Sequence, residues 1–86
     1  MFVVLKIIDN HPENISLFFS ENLAYKKYVK LLENSINNDE IEGIDSIADI
    51  EGYSEDIENY EAFIDFVYEN INSDRISFHV QKVKVK

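Results

Sequence analysis

Three consecutive stretches decide the fold: Phe2-Val3-Val4-Leu5-Lys6-Ile7-Ile8, then Asp9-Asn10-His11-Pro12-Glu13-Asn14, then Ile15-Ser16-Leu17-Phe18-Phe19. The first is a nearly continuous run of β-forming residues broken only by Lys6, the pattern of a strand covered on both faces or flanked on both edges. The second is dense in turn formers, and the third reads as a strand with Ile15, Leu17 and Phe19 on one face. Together they predict a β-hairpin.

Outward from the hairpin, Ser20 is an N-cap: its hydroxyl can accept from free amides of a first turn, and Glu21 complements the positive helix end. The helix it opens is expected to run to about Asn34. Tyr25, Tyr28, Val29, Leu32 and Ile36 recur at three- and four-residue spacing as its buried stripe, widened by Ala24 and Leu31, with Lys26, Lys27 and Lys30 on the wet flank. Within Asn37 to Tyr53, Ile41, Ile44, Ile47 and Ile50 repeat every three residues, which suits a short helix over Ile44 to Ile50, between Gly43 and Gly52. Ser54 caps a further helix whose seam is Ile57, Tyr60, Ile64, Val67 and Ile71. Arg75 to Val85 closes the chain as a strand, with Ile76, Phe78 and Val80 on one face and Ser77, His79 and Gln81 on the other. The apolar phase flips after Gln81, which calls for a bulge there or a strand that outruns the core. The expected architecture is α+β: a three-stranded antiparallel sheet ordered β2-β1-β3 with two or three helices on one face, ββα(α)αβ, in a single compact domain spanning residues 1–86.

Charge is strongly segregated. From Glu33 to Asp74 the chain carries 14 acidic residues and no Lys or Arg, and the formal net charge is −9. The flanking pieces are slightly basic, with Lys82, Lys84 and Lys86 alternating at the end. A field of one sign steers and holds ligands of the other. An apolar fraction of 45% with six Phe and five Tyr still supplies a core, so the acidity does not signal disorder.

On a helical wheel Glu58, Glu61, Asp65 and Glu69 fall in one stripe beside the apolar seam. Glu61, Asp65 and Glu69 are successive like-charge neighbours four residues apart, an arrangement that costs a helix a few tenths of a kcal/mol (~0.2–0.5) per pair. Asp65 and Glu69 also approach the negative helix end. Helix capping accounts for Glu55, Asp56 and Glu58 but not for these. Asp49, Glu51 and Glu55 extend the surface, and Phe66 and Tyr53 are its candidate aromatic anchors. An acidic exposed face also keeps a small protein soluble, so the stripe alone does not require a partner.

Other chemistry finds no foothold. With no Cys, disulfides and thiolate sites are excluded. An EF-hand with Gly43 sixth would start at Asn38 and end at Asp49, against the Asp and Glu those positions want. His11 and His79 lack partners at any recognisable spacing, and there is no phosphate-cradling glycine loop or nucleophile motif. No enzyme activity, metal or cofactor is expected. The terminal lysines read as protection of an edge strand rather than as a nucleic-acid site, since the acidic half opposes duplex approach. No apolar run reaches a membrane span, an acidic surface is repelled by anionic lipid, and a cytoplasmic location is expected.

In composition, size and charge layout the chain resembles small acidic DNA-mimic proteins of phages and mobile elements, such as anti-CRISPR and anti-restriction proteins. The resemblance covers the acidic half. It implies a non-enzymatic inhibitor that binds a basic nucleic-acid-binding protein, a CRISPR effector or restriction enzyme for example, by presenting carboxylates in place of phosphates. Direct nucleic-acid and membrane binding are not expected. Two alternatives remain open at this point: an immunity protein that neutralises a cationic toxin nuclease, and a structural or regulatory interaction subunit.

Overall fold

A computed structural model of the chain describes residues 1–50, Tyr53 and residues 60–84. Glu51, Gly52, Ser54, Glu55, Asp56, Ile57, Glu58, Val85 and Lys86, which enter the sequence reading above, lie outside the described residues. Strand β1 (Phe2–Ile8) pairs antiparallel with β2 (His11–Phe18) and with β3 (Ile76–Lys82), giving the sheet order β2-β1-β3. Helices α1 (Glu21–Asn37) and α2 (Tyr60–Asn70) complete the α+β fold, with a 3-10 turn at Ile47–Asp49 between them. The apolar run of β1 belongs to the central strand, hydrogen-bonded along both edges.

The hairpin is tighter than the six-residue turn predicted. Asp9 and Asn10 alone form the loop, with φ of 50° and 68°. Left-handed backbone at both central positions is the type I′ geometry whose twist matches the flanking strands, and Asp and Asn tolerate it better than most residues. β2 therefore starts at His11. Pro12 is accommodated because β2 is an edge strand, and a register shift between Lys6 and Ile7 leaves Glu13 as the extra residue of a bulge. From that bulge Glu13 reaches the buried Lys6, 3.4 Å from its Nζ, and Glu40 meets the same Nζ at 3.1 Å. The one lysine of β1 thus joins the hairpin to the chain just beyond α1.

Helix α1 begins as expected, with Ser20 Oγ accepting from the Leu23 amide at 3.5 Å. It ends three residues later than predicted. The Glu40 amide donates to the Ser35 carbonyl at 2.9 Å and the Asp39 amide to Ile36 at 3.1 Å, with Asp39 at φ 58°. That is a Schellman closure with Asp where Gly is usual. Ala24, Tyr28, Leu31, Leu32 and Ile36 are buried, while Tyr25 and Val29 are half-buried.

The short middle helix shrinks to Ile47–Asp49, capped by Ser46 Oγ on the Ala48 amide at 3.3 Å. Ile47 and Ile50 are buried and Ile41 and Ile44 half-buried, so the three-residue isoleucine repeat does face the body of the domain. On α2 the buried positions are Phe63 and Val67, with Ile71 just beyond. The Phe63 ring meets Tyr28 edge-on at 6.2 Å, and this aromatic contact rotates the helix so that Ile64 and Tyr60 are only half-buried.

The register of β3 on β1 runs unbroken from Ile8↔Ile76 to Phe2↔Lys82. No bulge interrupts it at Gln81; the strand outruns the core. Its outer edge is occupied by residues 68–73. Asn72 accepts from the Phe78 amide at 2.9 Å and donates to the Phe78 carbonyl at 3.0 Å, the Tyr68 hydroxyl accepts from the Val80 amide at 3.3 Å, and the Ser73 amide donates to the Ile76 carbonyl at 2.8 Å. These groups, more than the terminal lysines, keep the β3 edge from pairing elsewhere.

The helices cover one sheet face, that of Val4, Ile76 and Phe78. On the other face β1 places Val3, Leu5 and Ile7, β2 places Ile15 and Leu17, and β3 places Ser77, His79 and Gln81. The apolar side of β2 is therefore the open one: Ile15 and Leu17 are each 60% exposed and neighbouring Phe19 83%.

Candidate functional site

Packing on Phe63 and Val67 fixes which side of α2 meets solvent. Glu61, Asp65 and Glu69 are all exposed, and at 100° per residue they lie across the helix from that buried pair rather than beside the seam. The three span eight residue steps, about 12 Å of axis at 1.5 Å per residue. Among the described residues none of them has an ion-pair partner; the salt bridges there are those of Lys6 with Glu13 and Glu40, and of Lys30 with Glu33. The last turn of α2 contains no basic residue to relieve them.

Both aromatic candidates are half-buried. Phe66 is half-buried against the core and lines a shallow depression with Ala62, Asp65, Glu69 and Asn70, where the Asn70 side-chain amide donates to the Phe66 carbonyl at 3.0 Å. Tyr53 is half-buried with its ring 6.4 Å from Phe63. Its amide donates to the Ile50 carbonyl at 3.2 Å, which fastens it to the end of the 3-10 turn where Asp49 is exposed. Glu51, Glu55 and Glu58 fall outside the described residues.

The fold adds members that no spacing in the sequence reveals. Tyr60 at the start of α2 stacks on Tyr25 near the start of α1, ring centroids 4.1 Å apart and 21° from parallel. The Tyr25 hydroxyl is held above its ordinary range by burial first, then by the charge and hydrogen bonding of Glu21, then by the charge of Glu61. Glu21, which local reasoning assigns to the α1 dipole, and Glu61 thus act on one phenol. The negative surface of α2 continues onto the first turn of α1.

Elsewhere the polar groups serve the core. Burial pushes the Tyr28 hydroxyl far above 10, and it donates to the Phe78 carbonyl at 3.3 Å. His79 is half-buried, its Nε2 2.9 Å from Ser77 Oγ and its ring 5.7 Å from that of Tyr68; burial lowers its pKa. His11 is exposed in β2. Among the described residues no group of three or more His, Asp or Glu is placed to hold a metal ion, and no helix is long and apolar enough to cross a membrane. Comparison of the chain with protein-family models, with curated proteins and with solved structures gave no match.

Proposed function

We propose that this chain is a non-enzymatic inhibitor that presents the acidic face of α2 to a basic nucleic-acid-binding protein and occupies its Lys/Arg-lined groove. The observation that carries the reading is the row Glu61, Asp65 and Glu69, exposed, unpaired among the described residues and set on a helix that packs on the core through Phe63 and Val67. Carboxylates one helical turn apart, about 6 Å, make a regular row of negative charge, with about half the linear density of the phosphates along one strand of duplex DNA, about 3.4 Å of axis each. Like-charge neighbours without counterions are a local cost to the helix. A cationic groove would convert that cost into binding energy, with charge setting the rate of encounter and apolar contact the residence time. Glu21 enlarges the same surface.

The test is capture of nucleic-acid-binding proteins on the immobilised chain at low salt, followed by competition with duplex DNA and a salt titration. Binding should fall steeply with salt and be displaced by the duplex. Glu61→Lys, Asp65→Lys and Glu69→Lys together move the net charge from −9 to −3, each reversal being worth two units. That variant should capture nothing while its circular dichroism stays native. Capture that ignores salt, or that survives the triple reversal, overturns the proposal.

A further inference from the structure

The face of the sheet turned away from the helices carries no Lys, Arg, Asp or Glu in a chain whose residues are 29% charged, and it is apolar across β1 and β2 (Val3, Leu5, Ile7, Ile15 and Leu17), with Ser77, His79 and Gln81 of β3 at one side. We infer that this face is the seat of a second copy of the same chain, sheet packed on sheet, so that the protein is a symmetric dimer with its helices outside.

Area, charge and edge geometry converge on that occupant. Three strands about 4.8 Å apart and seven residues long at about 3.4 Å each offer roughly 340 Å² in projection per copy. Phe19, 83% exposed and continuing the alternation of Ile15 and Leu17, adds to this, a Phe alone being worth about 150–250 Å². Two copies together bury on the order of 1,000–1,200 Å², where stable protein interfaces begin. A patch of this size lies toward the upper end of the roughly 300–600 Å² that the largest patch on a monomer reaches, the range in which such patches are often functional.

Two chains of net charge −9 repel one another, and the arrangement must keep their acidic surfaces apart. Sheets packed face to face lie about 10 Å apart, and the helix layers behind them are then about 30 Å apart. That is several times the screening length of about 8 Å at physiological salt. A helix-to-helix contact would bring the same charges together. Pairing along the free edge of β2 is opposed by Pro12 and by the bulge at Glu13, two features that blunt an edge against strand addition. The dimer also points its two acidic helices in opposite directions, making it divalent toward basic partners.

Analytical ultracentrifugation from micromolar to submillimolar protein should give twice the chain mass of 10.1 kDa. Leu17→Asp with Phe19→Asp should return it to a single chain, with circular dichroism unchanged because both side chains are exposed in the isolated fold. Gln81→Arg, exposed on the same face, gives a second route should the aspartates disturb β2. Glu61→Lys with Asp65→Lys should leave the dimer intact, which separates this inference from the reading of α2. A 10.1 kDa species throughout the range, or a dimer that persists in folded Leu17→Asp/Phe19→Asp and Gln81→Arg, overturns it.

Discussion

The Phe78 carbonyl is shared by two donors from different parts of the chain, and a double-mutant cycle measures what that sharing is worth. Tyr28 Oη donates to it at 3.3 Å from α1, and Asn72 Nδ2 donates at 3.0 Å from beyond α2, while Asn72 Oδ1 also accepts from the Phe78 amide at 2.9 Å. Tyr28→Phe keeps the buried ring and leaves the carbonyl with Asn72, so its cost is that of one net hydrogen bond, about 0.5–1 kcal/mol. Asn72→Ala removes two bonds and strands the Phe78 amide, at about 2 kcal/mol. In the double variant the carbonyl of a fully buried residue loses both donors, and the desolvation penalty that neither single change exposes adds about 1 kcal/mol. With an m-value near 1 kcal/mol/M for so small a domain, that coupling is about a 1 M displacement of the urea midpoint. Urea titration of the four proteins, followed by far-ultraviolet circular dichroism, reads it directly. Additivity within ~0.3–0.5 kcal/mol would show that the two donors act independently and would refute the shared-acceptor account.

Two further outcomes follow from local geometry. Asp39 occupies the left-handed position of the α1 Schellman closure, next to the negative helix end. Asp39→Gly removes a backbone cost of about 1 kcal/mol and an unfavourable charge, and should raise the urea midpoint by about 1 M at constant slope; an unchanged midpoint would mean that Asp39 is compensated in the fold. His79 has its pKa lowered by burial, so the unfolded chain takes up its proton first as pH falls. Its contribution to stability is present above the unfolded value of about 6.5 and is lost as pH falls through the lower folded value. Thermal melts between neutral pH and pH ~5 should therefore show a larger loss for the parent protein than for His79→Gln, the carboxylates titrating alike in both. Parallel losses would remove His79 from the pH response.

What could be read from the residues is what local physics decides. The Ser20 cap follows from the orphan amides of a first turn and strands β2 and β3 from period-two patterning, while the nearly continuous apolar run of β1 marks it as the strand at the centre of the sheet. The two-residue hairpin loop was hidden because Asp9-Asn10 lacks the glycine that normally marks it, and the following Pro12 disguised the start of β2. The phase of α2 was decided across the core, where Phe63 against Tyr28 outweighs the more regularly spaced Ile64. The acid stripe at Glu61, Asp65 and Glu69 was legible because α2 is continuous through it. Glu21 and Tyr25 were not, since only the meeting of two helix starts brings them to it. The role of Asn72 was equally hidden: its sequence neighbourhood reads as a turn, while its amide does the work of a missing neighbouring strand.

The stacked rings of Tyr25 and Tyr60 have a practical consequence in a chain without tryptophan. They form a built-in optical reporter, because two phenols in van der Waals contact and twisted against each other give a signed near-ultraviolet dichroic band that neither gives alone. Since Glu21 and Glu61 both act on the Tyr25 hydroxyl, a cation arriving at the acidic surface would shift the ultraviolet titration of that phenol downward. The protein carries, without any label, an indicator dye at the surface where its partner is proposed to land.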